Sequence, residues 1–192
     1  MELCTFKKAW PLTVDCCPCD VHFIQYLEER NLVGKSIFHF GTGEHHLVGK
    51  NNYERGNPNE VLALTACREE HDIYIDYIVR NPLAANYYKV LFGDIHTLSP
   101  RLLPAFDLVT LFHLCETWDE QVAEYARLDG AEIVSLFLSK LNPGGRIFFF
   151  PQSHGYSGDN TDAGDIVRNF LSNNEMAVEE EYESLLICRT PF

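Results

Sequence analysis

Apolar positions along this chain come in short blocks whose period changes from block to block, and those changes outline the elements. Val21, Ile24 and Leu27 fall three residues apart, the spacing of one helix face. Asp20 stands where a helix cap belongs, Glu28 and Glu29 face water, and Gly34 suits a left-handed stop after Asn31. Ser36-Ile37-Phe38-His39-Phe40 reads as a strand closed by Gly41. A short helix follows Glu44, and residues 51–59 read as loop because Asn, Gly and Pro crowd together there. Residues 61–66 form an apolar run, as in a strand buried on both faces. Residues 68–80 return to helical spacing, with Ile73, Tyr77 and Ile78 on one stripe, and Asn81-Pro82 ends them. Strands are predicted at 87–92, 107–112 and 146–150. A helix is predicted over 120–141, with Ile133, Phe137 and Leu141 spaced for burial and Asn142-Pro143-Gly144-Gly145 as its stop. A loop at 152–165 and a short helix at 166–172 follow. Residues 178–183 and 185–189 then read as two strands, too closely linked to pair in parallel.

Strands that alternate with helices build a parallel sheet through right-handed crossovers. The expectation is an α/β fold, doubly wound, with a mostly parallel seven-stranded sheet and a C-terminal antiparallel hairpin. The 192 residues suit one domain over 1–192, in which residues 1–35 form an N-terminal helical segment placed to act as a lid. In such sheets ligands bind beyond the carboxyl ends of the strands, at the switch point. That puts the ligand loop at Gly41-Thr42-Gly43. Glycine there admits positive φ and a close backbone approach, and the next helix offers free amides to a carboxylate or phosphate.

Composition narrows the partner. Hydrophobic residues make up 46% and charged residues 22%, a globular balance that excludes disorder as the whole answer. The formal charge is -13, from 15 basic and 28 acidic side chains, and Lys7-Lys8 is the one adjacent basic pair. Such a chain repels a phosphate backbone, so a small molecule suits it better than a nucleic acid. No segment is long and apolar enough to span a bilayer, which leaves no membrane partner. The first ten residues carry Glu2, Lys7 and Lys8 without the apolar stretch of a secretion signal. The chain is therefore expected in the cytoplasm, with its seven cysteines reduced.

Titratable side chains suggest where chemistry sits. His113 with Glu116 is the best acid–base pair, since histidine titrates near neutrality and takes a proton from a hydroxyl or amine. His154, in the loop after the fifth strand, is weaker. His39, His45 and His46 lie on a strand or side by side, where neighbours point apart, so they do not converge on a metal. Cys16-Cys17-Pro18-Cys19 lacks a second pair at zinc-finger spacing. It reads as a loop of small residues ahead of the first helix and as part of a lid; a metal site shared with His22 is the alternative. No metal is expected.

The order strand, Gly41-Thr42-Gly43, strand, Gly93-Asp94, Phe106-Asp107-Leu108-Val109, Leu141-Asn142-Pro143-Gly144-Gly145-Arg146-Ile147 resembles the class I S-adenosylmethionine-dependent methyltransferases. The resemblance spans about residues 36–150 and the final hairpin. It implies S-adenosylmethionine as cofactor, with Phe40, Gly41, Thr42 and Gly43 facing its methionine part. It further implies Asp94 and Ile95 beside the adenine, and Phe112 and His113 at the reaction site with Glu116. The family usually carries an acid before the glycine loop, where this chain has His39-Phe40, and His45 replaces the third glycine. The acid that ends the family's second strand and grips the ribose is replaced by Thr65, with Glu69 and Glu70 following late. A hydroxyl holds a diol more weakly than a carboxylate does. Two readings follow: methyl transfer to a small-molecule acceptor, or a non-catalytic methyltransferase-like domain that binds a ligand or partner without the usual cofactor contacts.

Overall fold

Strand β1 (Ser36–Phe40) is the centre from which the rest is laid out. The structure is a computed structural model that describes residues 8–56, 58–157 and 162–191. β1 pairs in parallel with β2 (Glu60–Thr65) on one side and β4 (Phe106–Thr110) on the other. Outside β2 lies β3 (Tyr88–Phe92); beyond β4 lie β5 (Leu141–Phe149), then β7 (Leu185–Arg189) and β6 (Ala177–Tyr182). The order is β3-β2-β1-β4-β5-β7-β6, parallel through β5, with β7 antiparallel to both β5 and β6. This is the seven-stranded, mostly parallel sheet with a terminal hairpin that the alternation of patterns predicts.

Successive strand residues point to opposite faces, and both faces are covered. Ile37 joins Val61, Ala63, Leu108 and Phe148 under α1 (Cys19–Glu29), α2 (Leu47–Glu54) and α3 (Arg68–Arg80). Phe38 joins Leu64, Val109, Ile147 and Phe149 under α5 (Gly130–Ser139) and α7 (Asp162–Ser172), while α4 (Glu120–Tyr125) and α6 (His154–Ser157) flank the cavity end. Phe38 is fully buried, its ring centroid 5.5 Å from Phe106 and 4.3 Å from Phe137. Truncating such a side chain to alanine costs about 3–5 kcal/mol. Among the described residues no helix is long and apolar enough to cross a membrane.

Several boundaries differ from expectation, each for a local reason. The helix expected over 120–141 is two helices, because the backbone N–H groups of Arg127 and Leu128 both donate to the His96 carbonyl. Asn142-Pro143-Gly144-Gly145 is not a helix stop but a bulge inside β5. Phe106 pairs with Leu141 and Leu108 already with Arg146, so the residues between loop out. Asp107 secures that bulge and the start of β1 together: its carboxylate accepts from Asn142 Nδ2 and from Ser36 N and Oγ. Helix α2 runs through the first half of the loop expected at 51–59, and α6 and α7 occupy much of that expected at 152–165. Asp20 caps nothing; it lies inside the first turn of α1, buried. Of the segments expected to cover the site, residues 1–7, 57 and 158–161 lie outside the described residues.

Candidate active site

Because β1 stands between β2 and β4, successive crossovers leave it in opposite directions and a crevice opens at the carboxyl ends of those strands. A cavity of about 330 Å³ occupies that crevice, within the range of small-molecule sites. β1 supplies Phe40 to its wall and the loop after it Gly41 and Gly43, β2 Thr65, and the loop after β3 Asp94 and Ile95. His113 and Glu116 reach it from the turns after β4. Two residues expected here stand behind the wall instead. Thr42 is fully buried below the glycine loop, and Phe112 packs edge-on against Phe23 and His39 in the core.

The glycine loop brings the backbone close. Gly41 has φ +86°, and a Cβ there would lie 3.2 Å from His113 Cδ2. A side chain at position 41 would therefore meet both backbone strain and the His113 ring. His46 opens α2 with φ 48° and is buried, with Nδ1 2.7 Å from the Tyr88 hydroxyl and Nε2 2.8 Å from the Glu70 carbonyl. Burial lowers its pKa to about 4, and those partners suit a neutral ring. It holds structure, while His45 lines the cavity and accepts from Leu47 N at 3.2 Å.

A carboxylate that sequence spacing places too late lies at the end of β2. Helix α3 starts straight after β2, and its first turn carries Glu70 back under the strand end. Glu70 is 3% exposed and lines the cavity. Its Oε2 accepts from Thr65 Oγ1 at 2.6 Å and Thr42 Oγ1 at 3.1 Å; its Oε1 accepts from Trp10 N at 3.2 Å. One acceptor direction on Oε1 remains. The neighbouring Glu69 accepts from Ala9 N at 2.9 Å, and the Trp10 carbonyl accepts from Glu44 N. The segment ahead of α1 is thereby tied across the cavity mouth, where Trp10, Leu12 and Thr13 form part of the wall. Asp94 accepts from His96 N at 2.9 Å and from the Tyr125 hydroxyl, which holds its carboxylate at the opposite end.

Two features come from α1, which the sequence pattern marked only as a covering segment. Asp20 is buried, 3.8 Å from both His39 Nε2 and His45 Nδ1, so an acid stands beside the end of β1. Burial raises Asp20 to about 7 and lowers His39 to about 3. Just before it, Cys17 Sγ lies 3.5 Å from Cys19 Sγ and 3.9 Å from His113 Nε2, while His113 Nδ1 is 3.0 Å from Glu116 Oε2. The Cys17 thiol is lowered to about 5, first by its hydrogen bond with Cys19 and then by His113. Burial disfavours a charged His113 ring, but the bonds to Cys17 and Glu116 outweigh it and raise the ring to about 10. Neither cysteine was an expected site residue; the pairing spans 96 positions and leaves no local periodicity to find.

No protein-family model matches the chain, and no curated protein matches it significantly. Solved structures do. Magnesium protoporphyrin IX methyltransferase from Synechocystis PCC 6803, with bound S-adenosylmethionine, aligns at TM-score 0.59 and 13% identity, over 89% of this chain and 77% of that one. The glycopeptide N-methyltransferase MtfA aligns at TM-score 0.60 and 14% identity, over 90% of each chain. The cyclase SpnF aligns at TM-score 0.58 and 16% identity, over 91% of this chain and 64% of that one. At such identities the likeness is one of architecture, and one architecture hosts several chemistries. The fold of this chain is the Rossmann-like fold of the class I S-adenosylmethionine-dependent methyltransferases.

Proposed function

We propose that the chain binds S-adenosylmethionine in this cavity and transfers its methyl group to a small-molecule acceptor. One observation carries the reading: a single cavity at the switch point joins the Gly41–Gly43 loop, a buried carboxylate below the end of β2, and Asp94 beyond β3. The residues fit the group. The glycine loop leaves room for the methionine part where a Cβ would crowd His113. Glu70 offers its remaining acceptor direction to the ribose diol and takes over the task expected of Thr65, whose hydroxyl it holds. Asp94, fixed by His96 N and Tyr125, faces the adenine amine, with Ile95 beside it. Bound there, the cofactor supplies a methyl group already activated by its sulfonium. The chain then has to align an acceptor and exclude water. His113, held by Glu116, stands on the wall of the cavity where the acceptor enters.

The alternative of a binding domain without methyl transfer drew on the missing acids. Glu70 and Asp20 answer both gaps from neighbouring helices, which favours the enzyme. The test is calorimetric titration of the full chain with S-adenosylmethionine and with S-adenosylhomocysteine. Saturable binding of both is expected. Binding of neither at millimolar concentration overturns the reading.

A further inference from the structure

Methyl transfer by alignment gives no task to two cysteines that share a wall of the cavity with a histidine. Cys17 and Cys19 sulfurs are 3.5 Å apart, Cys17 Sγ is 3.9 Å from His113 Nε2, and all three atoms lie within 4.8 Å of one another. Tetrahedral zinc, with Zn–S of about 2.3 Å and Zn–N of about 2.05 Å, sets S···S near 3.8 Å and S···N near 3.6 Å. The Cys17–Cys19 and Cys17–His113 separations fall within about 0.3 Å of those values. His113 turns Nε2 to the thiols and Nδ1 to the Glu116 carboxylate at 3.0 Å. That is the carboxylate–histidine arrangement which orients an imidazole for a metal. A thiolate nucleophile with its base would leave Cys19 unexplained, and a disulfide would leave His113 and Glu116 unexplained; a metal uses all four.

We propose that Cys17, Cys19 and His113 bind one zinc ion whose fourth position opens on the cavity and takes a thiol as methyl acceptor. Three protein ligands and an open position are the pattern of a reactive zinc rather than a structural one. Two thiolates make the site soft and suited to a further sulfur donor. A thiol in water is mostly protonated at neutral pH, whereas one bound to zinc is deprotonated. With His113 engaged as a ligand, the metal supplies that deprotonation. The thiol releases its proton to solvent as its sulfur binds. The sulfur's electron pair then forms a bond to the methyl carbon, and the methyl–sulfonium bond breaks with its pair returning to the departing sulfur. The products are a methyl thioether and S-adenosylhomocysteine. The acceptor assignment rests on the methyltransferase reading; the metal site does not.

The experiment uses the full chain, stripped with a chelator, kept reduced with a phosphine, and titrated with Zn2+ and with Co2+. One equivalent of zinc per chain is expected, together with a cobalt spectrum showing thiolate charge transfer and tetrahedral d–d bands. Cys17→Ser or Cys19→Ser should each cut the charge-transfer intensity by about half and the two together should abolish it, and Cys188→Ala, a thiol buried in β7, should keep it. Glu116→Gln should retain the stoichiometry and weaken zinc affinity about 10–100-fold, an effect a merely structural Glu116 would not produce. Added 2-mercaptoethanol should raise the cobalt charge-transfer band by about half, from two thiolates to three, where ethanol does not. Substoichiometric zinc, or a cobalt spectrum indifferent to Cys17→Ser, overturns the site. Zinc binding with no response to 2-mercaptoethanol overturns the thiol assignment. S-adenosylmethionine titrated into the same samples separates the two readings: cofactor binding without zinc fails the metal site alone, and zinc binding without cofactor fails the methyltransferase reading and the acceptor with it.

Discussion

Glu70 shows what a single residue can do that its position in the sequence hides. The strand-end spacing leads the eye to Thr65, and the glycine loop is equally legible, because Gly41 and Gly43 follow an apolar strand and take positive φ. Glu70 is invisible to that logic. It reaches the site only because α3 begins at Arg68 and its first turn doubles back beneath β2. Cys17 is hidden for the same reason, since its partner His113 comes from the far side of the switch point. Thr42 and Phe112 show the converse: near the loop in sequence, they face the core in space. If Glu70 holds the ribose, Glu70→Gln removes the charge while preserving shape. Hydrogen bonds to a charged group contribute about 1.5–3 kcal/mol, so S-adenosylmethionine affinity should fall roughly 10–100-fold. Calorimetry on a variant whose melting is checked in parallel reads this, and an unchanged dissociation constant removes Glu70 from the cofactor site.

At the scale of elements, periodicity located nearly every strand and missed where helices stop. The apolar positions between Val122 and Phe137 look continuous, yet Asp129 begins a second helix. Its side chain accepts from Glu132 N at 2.8 Å while Glu132 returns to Asp129 N at 2.9 Å. That reciprocal pair is a capping box readable as Asp129-x-x-Glu132; the break it marks is completed by the His96 carbonyl, which no local pattern announces. The bulge at Asn142-Pro143-Gly144-Gly145 reads in sequence as a helix stop because the same residues that end a helix also interrupt a ladder. Asp129→Ala should lower unfolding free energy by about 1 kcal/mol, measured by urea denaturation. Cofactor affinity should not change, because Asp129 does not touch the cavity. A loss of cofactor affinity as large as the loss of stability would instead tie the start of α5 to the site.

The whole molecule was legible in outline because the strands alternate with helices and only the last connection is too short for a crossover. The parallel sheet and its terminal hairpin follow from that grammar; the strand order, which places β1 between β2 and β4, dictates where the cavity lies. What the grammar omits is the fastening between layers, and His46 carries much of it. It joins the start of α2 to Tyr88 on β3 and to the Glu70 carbonyl on α3, so its protonation acts on global stability. The Tyr88 hydroxyl donates to Nδ1 and Nε2–H donates to the Glu70 carbonyl, an assignment inferred from the partners. A second ring proton would break the first of these bonds. In the unfolded chain this ring takes a proton near pH 6.5, and in the folded one only near pH 4. The unfolded state therefore binds more protons between those limits, and the stability His46 contributes is complete above 6.5 and is lost as pH falls toward 4. Asn tolerates the left-handed backbone of position 46, so His46→Asn removes the titration without forcing the turn. Asp20 titrates in both proteins and cancels in the difference, and His39, held by burial at about 3, stays neutral in the folded state over this pH range. The stability gap between the native chain and His46→Asn should shrink by about 2 kcal/mol between pH about 7.5 and about 5. Urea unfolding at the two pH values measures it, and a gap that stays constant would mean that the ring accepts its proton in the folded state as readily as in the unfolded one.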